Sequence, residues 1–320
     1  MFNLVTPLSY IGSMTTTQLI DKPTHGTLEW LGKRHRFDGH CIVGASEVGI
    51  IMGASDYETI TDLAVRKLLP PVVSEPNDAM TRGNVLEPAL VGYAQEQLQI
   101  ELVVPNVMYL NGSVISTLDA RGVDPRADVI VEAKTNNRWA LGMDVPSSWW
   151  WQAQAQMHCT ETEAVNFVVL DKHMRLGMQT VERNNDGIAQ MLERVELFCS
   201  AIDKEELPDD TALTAPQVAL LYTKPEGAVE LPREAFALIE QWDAVKQALK
   251  GYEEQEKAIK DSLANLLRGA EFGTIDDRRV LSYKAQSTSR IDTKALALAH
   301  PDIASAYTTA STFRVLRVTK

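Results

Sequence analysis

Between residues 100 and 205 the chain switches repeatedly between short Val- and Ile-rich runs and longer stretches whose apolar residues recur at helical spacing. That switching confines it to a layered α/β fold. Leu102–Tyr109, Ser113–Leu118, Asp128–Glu132, Val165–Leu170 and Met178–Glu182 read as strands, and Ser147–Cys159 and Gly187–Ile202 as helices. Upstream, Ser46–Met52 reads as a short helix with Ser46 as N-cap and Gly53 just past its end. Thr61–Leu69 is a second helix, stopped by Pro70 and Pro71. A third surrounds Leu86, Leu90, Tyr93 and Gln97, with Pro88 either opening or kinking it. Strands gathered between helices predict one central mixed sheet flanked by helices.

The 320 residues allow one large domain or two modest ones. Residues 1–29, rich in Thr and Ser, read as an N-terminal arm, and 30–205 as the core domain. Pro208, Pro216 and Pro225 punctuate a linker over 206–230, and 231–320 form a C-terminal extension. Leu238, Trp242, Val245, Leu249, Tyr252, Glu256, Ile259, Leu263 and Leu266 alternate spacings of four and three, a heptad seam broken only by Glu256. Such a helix packs on its own domain or in a helical hairpin, or forms an intermolecular coiled coil. A short helix over Thr293–Ala299 and strand-like runs at Arg279–Lys284 and Phe313–Val318 complete the tail.

The net charge of −12 argues against a protein that binds polyanions through bulk positive charge. From Ile275 onward, however, eight Lys and Arg face four Asp and Glu, a local excess of +4. No apolar run approaches the ~18 residues of a membrane span. Met1–Thr17 lacks the basic head of a secretory signal. Cys41, Cys159 and Cys199, odd in number and widely spaced, fit reduced thiols of a cytoplasm.

Candidate chemistry lies between Asp119 and Lys134. In a strand, Glu132 and Lys134 share a face, and Asp119 can meet them if its own strand pairs with theirs. Two carboxylates and an ammonium converging at a sheet edge suit Mg²⁺, which takes hard oxygen ligands. An acid two residues before a lysine is a weak pattern and occurs twice, at Glu132/Lys134 and Asp292/Lys294. Asp292 precedes Thr-Lys-Ala-Leu-Ala-Leu-Ala and reads as a helix N-cap, whereas Glu132 ends a Val-Ile-Val run.

Three further blocks turn this pattern into a resemblance. They are Gly44-Ala45-Ser46, Arg82-Gly83-Asn84-Val85-Leu86-Glu87-Pro88 and Gln152-Ala153-Gln154-Ala155-Gln156-Met157. With the core Asp119, Glu132 and Lys134, over about residues 30–175, the chain resembles the lambda-type phage exonucleases. These YqaJ-like viral recombinases are a branch of the PD-(D/E)XK nuclease superfamily. Two positions depart from the family pattern. Ala120 replaces the usual glycine, and the basic residue of the first block, Arg34 or Arg36, lies further than usual before Ser46.

The resemblance implies a PD-(D/E)XK nuclease core. Asp119, Glu132 and the Ala133 carbonyl would hold one Mg²⁺, and Glu87 with Asp119 would bear on a second, with Mn²⁺ as a possible substitute. Lys134 would position water and neutralise charge on the scissile phosphate, and Gln154 would orient the nucleophile or the strand. Ser46 at a helix start, with Arg34 or Arg36, would bind a terminal 5′-phosphate. Arg82 would contact a backbone phosphate or stand in solvent. Trp149, Trp150 and Trp151 point in different directions and read mainly as core.

The implied activity is Mg²⁺-dependent exonuclease digestion of double-stranded DNA ends, 5′ to 3′, in the cytoplasm of a bacterial host cell. The exposed 3′ strand would pass to a single-strand annealing protein during phage-type recombination, and a ring-shaped homotrimer would explain processivity. The alternatives are a non-catalytic DNA-binding recombination scaffold and an endonuclease of the same superfamily.

Overall fold

The computed structural model describes residues 16–124, 128–208, 211–224, 226–309 and 314–318. The chain divides into two compact units, with the boundary between Leu221 and Tyr222. In the first unit the elements run β1 (Gln18–Asp21), α1 (Leu28–Lys33), β2 (Arg36–Phe37), β3 (His40–Cys41), β4 (Val43–Gly44), α2 (Ala45–Ile51), α3 (Ile60–Leu68) and α4 (Asp78–Leu98). They continue through β5 (Leu102–Val103), β6 (Val107–Asn111), β7 (Val114–Ser116), β8 (Ala120–Gly122), β9 (Ile130–Thr135) and α5 (Ser147–Thr160). β10 (Ala164–Leu170), β11 (Leu176–Glu182), α6 (Asn185–Asp203) and α7 (Ala215–Leu221) close the unit.

The fold is mixed α/β, as the sequence predicts, but its longer strands fall into two sheets rather than one. The first has the order β1-β6-β7-β4 and the second β11-β10-β9-β8-β5. Both are mixed: β4 runs parallel to β7 and β9 parallel to β10, while the other pairs are antiparallel. The chain crosses from one sheet to the other between Ser116 and Ala120. Asp119 sits at that crossing.

Side-chain alternation assigns each face of the second sheet. Ile130 of β9 and Val165, Phe167 and Val169 of β10 belong to the main core, together with buried residues of α2, α5 and α6. Val131 and Val168, one residue out of phase, pack with Ala120 against Leu90 and Ala94 of α4. So α4 and α5 cover opposite faces. The Trp triplet joins the core side: Trp149 packs against Trp139 and Phe167, with ring centroids 5.4 and 5.6 Å apart, and Trp150 against Trp151.

The N-terminal arm is partly built into the fold. The described part of the arm is a strand: β1 pairs antiparallel with β6, Gln18 opposite Leu110 through Asp21 opposite Val107. Residues 1–15 lie outside the described set. Of the two places open to it, Pro88 takes the interior one, inside the 21-residue α4 rather than at its start, leaving the Asn84 carbonyl without its usual intrahelical donor.

The second unit contains α8 (Ala235–Leu267), β12 (Phe272–Ile275), β13 (Arg278–Ser282), α9 (Thr293–Ala299) and α10 (Pro301–Ala306). The heptad seam lies on the 33-residue α8, where Leu249, Tyr252 and Ile259 are exposed rather than packed in a hairpin. β12 and β13 form a hairpin. Residues 314–318 carry no strand, and Phe313 lies outside the described residues. Asp292 caps α9, its Oδ1 accepting from the Lys294 and Ala295 amides, so the second acid-x-lysine pair is an N-cap.

One buried ionic cluster ties α1, β4, α2 and α3 together. Glu47 accepts from the Gly44 amide at 2.8 Å and pairs with Lys67 at 2.8 Å and with Arg66. Lys67, also buried, donates to the carbonyls of Arg34 and Ile42. Burial alone would raise the Glu47 pKa, but Lys67, Arg34 and Arg66 hold it far below the carboxylate range. A depressed native pKa stabilises the fold above the unfolded pKa and loses that contribution as pH falls toward the native value. Glu47→Gln leaves buried cations uncompensated and is expected to cost about 3–5 kcal/mol in urea unfolding at neutral pH. The loss should shrink as the pH is lowered below the ordinary glutamate range.

Candidate active site

Glu132 and Lys134 lie two residues apart on β9 and point to the face covered by α5. There Gln152 and Gln156, one helical turn apart, meet them. Glu132 is 6% exposed. Its Oε1 accepts from Lys134 Nζ at 2.8 Å and from Gln152 Nε2 at 2.6 Å, and its Oε2 from Gln156 Nε2 at 2.6 Å. Lys134 Nζ also donates to Gln152 Oε1 at 2.9 Å. Burial would lower the Lys134 pKa, yet the Glu132 and Asp119 carboxylates raise it above the ordinary lysine value. The two carboxylates thus favour the charged form of Lys134.

Asp119 reaches the same place from the sheet crossing. Its Oδ2 accepts from the Ala133 amide at 2.8 Å, which fixes the carboxylate between Glu132 and Lys134 in the sequence of β9. Burial first, then the facing Glu132 and Glu87 carboxylates, pushes its pKa well above the usual aspartate value, against Lys134 and the Ala133 amide. Glu87, from α4, is raised by burial and by Glu132, against Lys22 and Lys134.

These groups line a cavity of about 220 Å³ with Lys22, His25, Trp30, Arg34, Ala45, Ser46, Thr117 and Gln152. Arg34 Nη2 donates to Ser46 Oγ at 2.8 Å, and its guanidinium lies 4.4 Å over the Trp30 ring. It also rests against Gly44, where any Cβ would collide with it. A Cβ at Gly44 would therefore displace the guanidinium from this position.

Several predicted residues need correction. Ser46 is not the N-cap of α2; Gly44 is, and Ser46 stands in the first turn with its hydroxyl on Arg34. Of the two candidate arginines, Arg34 lines the cavity, whereas Arg36 is held at 2.9 Å by Asp203 and bonds the Gly39 carbonyl. Gln154 is buried on the far side of α5, where it bonds the Glu182 carbonyl and the Asn184 amide and is a structural residue. Gln152 and Gln156 take its place because residues four apart share a helix face and the residue between them does not. Arg82 is exposed on α4 and does not line the cavity.

Lys22 and His25 carry no motif and were not among the predicted site residues; only the pairing of β1 with β6 brings them in. No sequence signal marks them.

Three carboxylates facing one cavity, two of them driven above their normal pKa by burial and then by their like-charged neighbours, are a donor set whose chemistry suits a divalent cation. Asp119, Glu132 and Glu87 could hold one. Among the described residues no group of three or more His, Cys, Asp or Glu side chains closes on one point. The set is open, with Glu132 engaged by its amide and ammonium donors and Asp119 by the Ala133 amide. Because the Asp119 pKa is raised in the fold, its ionisation destabilises the metal-free protein as pH rises above the unfolded value. Asp119→Asn should therefore raise the thermal midpoint of the metal-free protein at pH 8, by about 2–4 °C per kcal/mol recovered. Added Mg²⁺ should stabilise the unsubstituted protein more than this variant.

No family model matches the chain, and no curated protein matches it. Among solved structures it is similar to an alkaline exonuclease from Laribacter hongkongensis, with 23% identity and a TM-score of 0.47 over 56% of this chain and 94% of that one. The same enzyme in complex with dAMP gives 23% identity and a TM-score of 0.45 over the same shares. A phage-related exonuclease from Haemophilus somnus gives 17% identity and a TM-score of 0.42 over 52% of this chain and 95% of that one. No helix among the described residues is long and apolar enough to cross a membrane.

Proposed function

We propose that this protein is a Mg²⁺-dependent exonuclease that digests double-stranded DNA from its ends, 5′ to 3′, leaving 3′ single-stranded overhangs. One observation carries the reading: three carboxylates and an ammonium share a cavity with a guanidinium–hydroxyl pair suited to a phosphate.

In this reading Arg34 and Ser46 hold the terminal 5′-phosphate, with Trp30 supporting the guanidinium from below. That anchor sets the next phosphodiester beside Asp119, Glu132 and Glu87. Asp119, Glu132 and the Ala133 carbonyl would hold one Mg²⁺ and Glu87 would bear on a second, and such ions would activate a water and offset charge on the leaving oxygen. Water adds to phosphorus and the bond to the 3′ oxygen breaks. The released nucleotide keeps a 3′ hydroxyl, and the shortened strand keeps a new 5′-phosphate for the Arg34–Ser46 pair. The Lys134 ammonium stabilises charge building on the non-bridging oxygens. Gln152 and Gln156 hold Glu132 in place so that its carboxylate does not reorganise during the step. A closed ring of copies, with the exposed 3′ strand passing to a single-strand annealing protein, completes the proposal.

Digestion of linear and covalently closed duplex DNA is the direct test. Linear DNA should be degraded in Mg²⁺ and spared in EDTA, while closed circles stay intact; cutting of circles would make the protein an endonuclease instead. Glu132→Ala and Asp119→Ala should each lower the rate about 10²–10³-fold, a loss typical of removing preorganised charge stabilisation. Full activity in either variant rejects the mechanism. Ser46→Ala should slow digestion of 5′-phosphorylated ends more than of hydroxyl ends, and an equal loss on both removes the anchor.

A further inference from the structure

Three cations line the cavity, and two of them are occupied. Lys134 is bonded to Glu132 and Gln152, and Arg34 to Ser46 while resting on Trp30. Lys22 is different. Its ammonium has one side-chain contact, a long 3.5 Å approach to the Pro105 carbonyl, and among the described residues no carboxylate pairs with it. Yet it lines the same cavity as Glu87, Asp119 and Glu132.

Its placement is fixed from both sides. Upstream, β1 is locked to β6, and the pairing runs on through the Lys22 amide, which donates to the Asn106 carbonyl at 3.0 Å. Downstream, Pro23 stiffens the backbone and Thr27 caps α1, accepting from the Trp30 amide at 3.2 Å and donating to the Thr24 carbonyl at 2.7 Å. His25 then sets its ring edge-on to Trp30, 4.4 Å between centroids. A lysine on a wandering arm would be a solvated charge. This one is held at the mouth of a cavity rich in carboxylates with its donors unspent.

We propose that Lys22 is a phosphate-binding residue of the site, contacting the DNA backbone next to the phosphates served by Arg34 and Lys134, so that the β1 segment is part of the substrate-binding surface. The assignment rests on the nucleic-acid reading above. It explains why a cation should be built into a wall where Glu87, Asp119 and Glu132 would otherwise repel an incoming strand. The acidic set needs nearby positive charge that is not already neutralised, and Lys22 supplies it. A lysine suits a phosphate as a point charge without demanding one geometry.

The experiment uses the full chain and a short 5′-phosphorylated duplex, with Ca²⁺ replacing Mg²⁺ for binding and Mg²⁺ for digestion. Lys22→Gln should bind the duplex about tenfold more weakly, as loss of one charge-assisted contact requires. The slope of log affinity against log salt should become shallower by about one. Digestion should show a raised KM with kcat nearly unchanged, and Lys22→Arg should restore both measurements. The thermal midpoint of Lys22→Gln should match the unsubstituted protein, since the pairing of β1 uses backbone groups. If Lys22→Gln keeps the parent affinity and salt slope while the parent digests DNA, the assignment is overturned and the nuclease reading stands. If the parent neither binds nor digests the duplex, both fall.

Discussion

A single buried carboxylate organises the site. Glu132 lies in the core face of a sheet, where an unpaired charge would cost several kcal/mol. It is tolerated because three donors from two elements converge on it: the Lys134 ammonium from the same strand and the Gln152 and Gln156 amides from α5. The match is between two periods. Residues two apart on a strand meet residues four apart on a helix, and both sets must face each other for the bonds to close. Sliding β9 by one residue would turn Glu132 and Lys134 toward Leu90 and Ala94 of α4. The polar cluster thus fixes register as well as chemistry.

The cationic side of the cavity is built on the same plan of charge held by backbone geometry. Arg34 can lie against Gly44 only because no Cβ is there, and its carbonyl is fixed by buried Lys67. Lys67 is in turn paired with Glu47, which caps the amide of Gly44. One chain of contacts therefore runs from α3 through α2 to the guanidinium. Within the cavity Lys134 is paired with Glu132, while Arg34 is committed to Ser46 and Trp30 and Lys22 has no carboxylate partner among the described residues.

Much of this was legible in the residues. The strand and helix periods match α5, β10, α6 and α9 nearly to the residue, with Asn184 and Asp292 capping the two helices α6 and α9. The face shared by Glu132 and Lys134 follows from alternation alone. The same logic, applied to the glutamine block, shows that Gln152 and Gln156 share one face and Gln154 the other, but it does not say which face meets the strand. Only packing decides that, and it sends Gln154 to the Glu182 carbonyl. The choice between Arg34 and Arg36 was likewise hidden, because the β2–β3 turn gives Arg36 a partner, Asp203, 167 positions away. Lys22 was invisible: a strand at the edge of a sheet, joined by long-range pairing with β6, leaves no periodic mark in four residues. The split into two sheets also escaped notice, because the crossing at residues 117–119 reads as a continuation of β7.

The central claim is that Asp119, Glu132 and Glu87 converge to hold divalent metal. Anomalous diffraction from crystals soaked in Mn²⁺ tests it most directly. The account predicts anomalous density inside this cavity, within coordinating distance of the Asp119 and Glu132 oxygens, and its loss in Asp119→Asn crystals soaked alike. Density only elsewhere, or none at a concentration that supports DNA digestion, would contradict it.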